Sequence, residues 1–163
     1  MLTERAVTTA LAEHFARQSK RNGDTETPRF VFAAQVRSAA GFDAPRRFDA
    51  IAIDTWPSGG LLVHAFEVKV TRTDWLRELA HPEKAEAALE VADTMSIVAP
   101  HGIINPAEVP PGWGWYVATA RGDTVRVTRR RSPQPKPNVG APLPRTFAVS
   151  LIRATTTWKV TTQ

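Results

Sequence analysis

The sequence predicts a mixed α/β fold in which helices flank a small sheet, and three observations lead to this prediction. Apolar residues recur at helical spacing over residues 3–20, where Thr3 is a suitable N-cap. Three strand-like segments with turn-rich connections follow, at 29–36, 46–56 and 61–70. A capped helix and a strand pattern at 94–100 come next. The resulting order, α-β-β-β-α-β, indicates a layered α/β domain.

The second half of the chain continues in shorter pieces. Thr71 caps a helix with Asp74 as the reciprocal partner of a capping box, and Pro82 interrupts that helix because proline lacks an N–H donor. A second helical piece is therefore expected over 82–92. The last elements expected are one or two further strands, a Pro-rich extended segment and a short helix, at 113–120, 123–130, 131–144 and 145–158.

Length and composition favour a globular protein. The chain has 163 residues, 42% of them apolar, which suits one domain with a sizeable core. It contains no cysteine, so disulfides and thiolate chemistry are excluded. The N-terminal segment carries Glu4, Arg5 and Glu13 and lacks the apolar block of a signal peptide. We therefore expect a cytoplasmic protein that does not enter a membrane.

The positive charge is concentrated in one segment. The formal net charge is +5, yet residues 121–145 alone hold seven Lys or Arg against one acid, Asp123. Such a segment is a plausible contact for a polyanion such as nucleic acid, and the alternative is a solvated stretch that aids solubility. We expect a core domain over 1–128 and a basic Pro-rich arm and terminal segment over 129–163 that packs on the same domain.

The stretch LLVHAFEVKV, residues 61–70, carries charge inside an apolar strand. Because side chains alternate along a strand, Glu67 and Lys69 share one face and Phe66 and Val68 share the other. Asp49 lies in a similar apolar setting on the preceding strand. Two carboxylates held close together repel, and a divalent cation relieves the repulsion while both stay ionised. Such hard oxygen ligands suit Mg²⁺ or Mn²⁺.

The register of the hairpin decides whether these carboxylates meet. Two three-residue loops put Asp49 on the face of Glu67: one pairs Asp49 with Glu67, and the other pairs it with Lys69. A four-residue loop, Pro57–Gly60, would put Asp49 on the opposite face unless a bulge corrected the register.

These residues resemble a known family. Asp49, followed 18 residues later by Glu67-Val68-Lys69 on the next strand, is similar to the signature of the PD-(D/E)XK nuclease superfamily, and the element order resembles its core. The run FEVKVTRTDWLREL, the break at Pro82 and the sequence VPPGWG at 109–114 resemble the MmcB-like DNA-repair proteins of bacteria and phages. The resemblance covers roughly residues 30–120.

The resemblance implies a restriction-endonuclease-like core and metal-dependent cleavage of phosphodiester bonds in phage or bacterial DNA repair or replication. Asp49, Glu67 and the carbonyl of Val68 would hold Mg²⁺ or Mn²⁺. Lys69 would position the attacking water or neutralise the transition state. Many members carry a further acid on the first helix or first strand, where this chain offers Glu4 and Gln35 as accessory candidates.

The candidate contacts to nucleic acid are all arginines. They lie before Asp49, at the start of the helix after the third strand, and at the head of the basic arm: Arg46, Arg47, Arg72, Arg129, Arg130 and Arg131. DNA is the expected partner and RNA the alternative, and the oligomeric state, including a homodimer, is left open. Two other functions compete with the nuclease: a catalytically inactive DNA-binding module with the same fold, and a protein-interaction domain that uses the basic arm.

Overall fold

The computed structural model describes residues 1–21, 28–39 and 46–157. Within these ranges the chain forms four α-helices and six strands in one sheet. The helices are α1 (Glu4–Arg21), α2 (Arg72–Leu79), α3 (Glu83–Ala88) and α4 (Arg145–Thr157). The strands are β1 (Phe30–Arg37), β2 (Arg47–Asp54), β3 (Val63–Val68), β4 (Thr94–Pro100), β5 (Gly114–Arg121) and β6 (Thr124–Arg131). The predicted mixed α/β fold, a small sheet flanked by helices, is confirmed.

The sheet combines an antiparallel half and a parallel half. Strands β1 to β6 lie side by side in chain order. The first three form an antiparallel meander, and α2 and α3 then return the chain so that β4 runs parallel to β3. The connection over residues 101–113 in turn places β5 parallel to β4. Strand β6 pairs antiparallel with β5. A parallel connection needs a crossover of a dozen or more residues, which the segment between β3 and β4 supplies.

Helices cover both faces of the sheet, but with different chemistry. On one face, Leu11 and Phe15 of α1 pack in an apolar core with Phe66 and Val68, and the rings of Phe15 and Phe66 lie 5.4 Å apart between centroids. On the other face, Phe147 of α4 belongs to a second apolar cluster against β1 and β2. Each buried side chain of this size contributes roughly 1.5–3 kcal/mol, so the two cores fix the sheet between the helices.

The observed hairpin register is one of the two that bring Asp49 to the face of Glu67. Ala50 pairs with Phe66, which leaves Asp49 and Glu67 as the next opposed positions. The predicted three-residue loop is wrong, however, because the ladder ends at the pair Ile53–Val63 and one further hydrogen bond, from the Asp54 N–H to the Leu62 carbonyl at 3.0 Å. A 3-10 turn at Pro57–Gly59 and the left-handed residues Gly60 and Leu61, with φ of 81° and 55°, make the connection instead.

The connection after β3 follows the predicted cap and break. The hydroxyl oxygen of Thr71 accepts the Asp74 N–H at 3.1 Å. The Asp74 carboxylate accepts from the same hydroxyl at 2.6 Å, rather than from the Thr71 backbone as in a capping box. Helix α2 ends at Leu79, before Pro82, and α3 is shorter than the predicted 82–92.

The basic Pro-rich segment lies along the domain. Strand β6 continues through Arg131, so the expected boundary between 128 and 129 falls inside a strand. Beyond it, the Gln134 N–H donates to the Gly112 carbonyl, and the backbone and ammonium of Lys136 donate to the carbonyls of Asp93 and Leu89, each at 2.8 Å. In the part of the chain that the structure describes, no helix has the length and apolar character needed to cross a membrane.

Candidate active site

The candidate residues Asp49, Glu67 and Lys69 lie where β2 and β3 separate. At this end of the ladder the last β2–β3 pair is Ala50 with Phe66. The N–H of Val68 donates at 2.8 Å to the Asp49 carboxylate instead of to a strand carbonyl. On the other side of β2, Gln35 of β1 falls opposite Asp49 with a φ of 55°, a left-handed conformation that is uncommon for this residue type. Unusual backbone of this kind concentrates at functional sites.

Glu67 is the most perturbed acid of the cluster. Its side chain is 10% exposed, and one carboxylate oxygen, Oε1, lies 3.6 Å from the Lys69 ammonium and 3.9 Å from the Arg46 guanidinium. The other oxygen, Oε2, is buried and has no hydrogen-bond partner in the part of the chain that the structure describes. Burial, followed by the negative charge of Asp49, raises the pKa of Glu67 to about 8. The metal-free protein therefore keeps Glu67 largely protonated at neutral pH.

Lys69 is held between two carboxylates. Its Nζ lies 3.6 Å from Glu67 and 3.3 Å from Glu78. Burial lowers the pKa of Lys69, but the negative charges of Glu67 when it is ionised, of Glu78 and of Asp49 together outweigh it and raise the pKa above the ordinary value. Lys69 is thus a fixed ammonium and does not serve as a neutral base.

Glu78 completes the cluster and was not predicted from the sequence. It projects from α2, its side chain is 4% exposed, and its Oε1 is buried with no hydrogen-bond partner within residues 1–21, 28–39 and 46–157. One sequence signal was present, because Glu78 follows the fully buried Trp75 by three residues and so shares the core-facing side of the helix. A buried acid on the helix that starts directly after Glu67-Val68-Lys69 is well placed to meet the lysine.

The charges of this cluster do not balance. Three acids, Asp49, Glu67 and Glu78, face two cations, Lys69 and Arg46, and retention of a proton by Glu67 removes the excess negative charge. A divalent cation can take the place of that proton, and the unpartnered oxygen of Glu67 is a suitable ligand. Over residues 1–21, 28–39 and 46–157, no group of three or more His, Asp or Glu side chains is arranged to hold a metal ion. The fit therefore rests on Asp49, Glu67 and the carbonyl of Val68.

The accessory candidates contact each other at the surface. The Gln35 amide donates to the Glu4 carboxylate at 3.3 Å in an exposed hydrogen bond. The charged groups that act on Glu67 are Asp49, Lys69, Glu78 and Arg46, so the third acid brought to the cluster is Glu78.

Arg46 and Arg47 border a cleft that reaches Glu67. The cleft, here called the Glu67 cleft, has a volume of about 620 Å³. Its lining comes from the residues after β1, the start of β2 and the residue before it, β3, α3 and the residues after it, and the start of α4. The lining includes Ser38, Arg46, Arg47, Glu67, Glu83, Glu90 and Thr146. Of the charged residues around Asp49, Glu67 and Arg46 line this cleft. The cleft is therefore the route by which a ligand would approach them.

Arg72 is engaged elsewhere. Its guanidinium forms a two-pronged ion pair with Glu108 and also donates to the Ile103 carbonyl at 3.0 Å. The same carboxylate accepts the indole N–H of Trp75 at 3.0 Å. The Arg72 side chain is 44% exposed, but its hydrogen bonds to Glu108 and Ile103 connect α2 to the loop before β5.

The three arginines at the end of β6 point in different directions. Arg129 lies opposite Tyr116, on the α1 side of the sheet. Arg130 falls at the irregularity between the pairs Tyr116–Arg129 and Trp115–Arg131, and is exposed. Arg131 donates to three loop carbonyls, those of Val109, Pro110 and Trp113. These residues therefore do not form one continuous cationic arm.

Comparisons with known proteins bear on the fold. No family model matches the chain, and a search of curated proteins finds no match. Among solved structures, the chain is similar to SPO1766, a protein of unknown function from Silicibacter pomeroyi. The TM-score is 0.61 at 18% sequence identity, over 96% of this chain and 86% of that one. At this identity the likeness shows the fold alone.

The raised pKa of Glu67 predicts how stability depends on pH. Because the pKa is about 8 in the folded protein against an ordinary 4.5, the folded state binds this proton more tightly than the unfolded chain does. The resulting stabilisation is fully present below pH 4.5 and is lost as the pH rises through 8. In chelator, the wild type should lose on the order of a few kcal/mol relative to Glu67→Gln between pH 5 and 8.5, measured by urea unfolding.

Glu13→Gln is the matched control, since Glu13 pairs with Arg17 on the exposed side of α1 and should leave the pH profile unchanged. A wild type and a Glu67→Gln variant whose unfolding free energies change in parallel with pH would contradict the buried, protonated Glu67.

Arg131 and Arg130 are neighbours with separable roles. Arg131→Ala removes the hydrogen bonds to three carbonyls and should lower the free energy of unfolding by about 1–3 kcal/mol. Arg130→Ala should change the free energy of unfolding by no more than about 0.5 kcal/mol, because the side chain is exposed.

If Arg130 contacts a phosphate of DNA, its loss flattens the salt dependence of DNA affinity by about one log–log unit. Urea unfolding measures the stability of the two variants, and DNA affinity measured against salt concentration tests the role of Arg130. Equal destabilisation by Arg131→Ala and Arg130→Ala would contradict the structural role given to Arg131 alone.

Proposed function

We propose that the protein is a metal-dependent nuclease that hydrolyses phosphodiester bonds, with DNA as the substrate. The observation that carries the proposal is the Asp49–Glu67–Lys69 cluster: two carboxylates and an ammonium, largely buried in a sheet and joined to solvent by the Glu67 cleft. As a purely structural device the cluster is a poor explanation, because buried ion pairs rarely stabilise a fold more than apolar side chains of the same size.

Each residue of the cluster has a role in this proposal. Asp49 and Glu67, with the carbonyl of Val68, would hold Mg²⁺ or Mn²⁺, and the hydrogen bond from the Val68 N–H fixes the Asp49 carboxylate in place. A divalent cation bound there would supply a Lewis acid for the phosphate and lower the pKa of a bound water. Lys69, held protonated by Glu67 and Glu78, faces the negative charge that develops on the phosphate.

The distribution of charge supports nucleic acid as the substrate. Arg46 and Arg47 border the same cleft as Glu67, and arginine suits phosphate groups because its guanidinium presents several N–H donors in a planar fork. The chain as a whole is basic, with a formal charge of +5. Long-range attraction of a polyanion follows from that charge and weakens with salt.

A DNA-binding module without turnover is the second candidate, and a specific observation favours it. Lys69 forms an ion pair with Glu78 as well as with Glu67. In addition, the described ranges contain no group of three acidic or histidine side chains arranged to hold a metal ion. A protein of this kind would bind nucleic acid through the same cleft and leave it intact.

Cleavage assays separate the two candidates. With labelled single-stranded, duplex and branched DNA in Mg²⁺ or Mn²⁺, the wild type should cut at least one substrate, and RNA of the same sequences tests the other nucleic acid. Asp49→Asn, Glu67→Gln and Lys69→Met should each lower the rate about 100-fold or more, as loss of a group that stabilises the transition state does. Glu13→Gln, the exposed control on α1, should keep full activity.

Binding without cleavage by a folded wild type would favour the inactive module. Cleavage that persists in Glu67→Gln at the wild-type rate would show that the reaction occurs elsewhere on the protein.

A further inference from the structure

Arg46 is an unusual cation because it is buried and poorly satisfied. Its side chain is 11% exposed, and its Nε and Nη2 groups are buried with no hydrogen-bond partner among the described residues. Within the same residues the nearest carboxylate oxygen, on Glu67, lies 3.9 Å from Nη2, which is too far for a hydrogen bond. The guanidinium instead lies over the ring of Phe48, 5.6 Å from its centroid.

Such an arrangement carries an energetic cost that a ligand can remove. A buried donor without an acceptor loses its hydration and gains nothing in return, typically at about 1–3 kcal/mol and more for a charged group. The backbone around Arg46 is fixed, since its carbonyl accepts from the Ser38 N–H at 2.8 Å and its N–H donates to the Ser38 hydroxyl at 3.2 Å. The side chain breaks no hydrogen bond through Nε or Nη2 when it turns toward the cleft.

We propose that Arg46 is the receptor for a phosphate group in the Glu67 cleft and that it binds this group without any metal. This inference rests on the proposed nuclease function and deepens it, because it names the residue that receives the reacting phosphate of the strand. The planar guanidinium fork matches two oxygens of a phosphodiester, and charge-assisted bonds of this type are roughly twice as strong as neutral ones.

The cleft has room for a small ligand. Its volume of about 620 Å³ falls in the range of sites that hold a small molecule, so a nucleotide-sized phosphate ester fits it. Arg47 is exposed at the same cleft and attracts the strand before Arg46 binds it.

The acids around the cleft do not prevent this binding. Glu83 and Glu90 also line it, but both are exposed, so water and salt screen their charge. Among the described residues, Glu67 is the acid closest to Arg46, and the same carboxylate oxygen lies 3.6 Å from the Lys69 ammonium, which offsets its charge. The affinity for phosphate accordingly depends on the fork of Arg46.

A metal-free titration tests the proposal on the unmodified protein. In EDTA at constant ionic strength, inorganic phosphate and the dinucleotide TpT are added while the arginine Nε–H resonances are followed by NMR. The resonance of Arg46 should shift with saturation for both ligands, and more strongly for TpT, because the cleft also encloses the sugars. Sodium chloride at equal ionic strength should leave it unmoved.

Variants then assign the effect to the side chain. Arg46→Met should weaken TpT binding at least tenfold, and Arg46→Lys should recover part of the loss because a lysine keeps the charge without the fork. Arg17→Met is the matched control, since Arg17 lies exposed on α1 and pairs with Glu13, and it should bind like the wild type. Melting curves confirm that each variant is folded, and the wild-type NMR titration decides the matter if Arg46→Met does not fold.

The inference and the nuclease proposal can fail separately. A shift of the Arg46 resonance with no cleavage in Mg²⁺ or Mn²⁺ supports Arg46 as the phosphate receptor and contradicts the nuclease proposal. Cleavage by a protein whose Arg46 resonance does not shift with either ligand contradicts the receptor proposal. Equal TpT affinity in Arg46→Met and wild type contradicts it as well.

Discussion

A carboxylate that is almost fully enclosed by strands and helices cannot stay ionised without compensating charge, and this constraint organises the end of β3. Glu67 has Lys69 and Arg46 as its cations, yet Asp49 and Glu78 add two further negative charges to the same small volume. The folded chain therefore tolerates the cluster only with a proton or another cation on Glu67. The apolar cores on both faces of the sheet supply the stability that makes such a costly arrangement tolerable.

The cluster depends on a local failure of regular sheet structure. Had β2 and β3 stayed paired past Ala50, a strand carbonyl would have taken the Val68 N–H, and Asp49 would have had no fixed partner. The left-handed Gln35 on the other side of Asp49 loosens the β1–β2 ladder at the same level. Strand separation thus makes space for side chains and opens the route to the Glu67 cleft. The same residues that end the ladder are those proposed to hold the metal.

Strong local signals in the sequence predicted most of the fold. Helix α1, the cap at Thr71, the break at Pro82 and strand β4 follow from periodicity and side-chain chemistry. The sequence left the hairpin register open, and the structure has the register that places Asp49 opposite Glu67. Long-range packing decided the rest. The hairpin loop depends on the left-handed Leu61, which no propensity predicts, and Glu78 reaches Lys69 only after α2 folds back on the sheet. The arginines of β6 were grouped by sequence proximity, whereas strand alternation and the irregularity at Arg130 separate them.

A calorimetric titration of Mn²⁺ into the metal-free protein tests the central claim, that the Asp49–Glu67 cluster lacks one cation. Near pH 7 the wild type should bind Mn²⁺ and release close to one proton, seen by comparing buffers of different ionisation enthalpy, because the metal replaces the proton on Glu67. Glu67→Gln should bind at least tenfold more weakly and release none, while Glu13→Gln should match the wild type. Binding with no proton release, or equal binding and release by Glu67→Gln, would contradict the account.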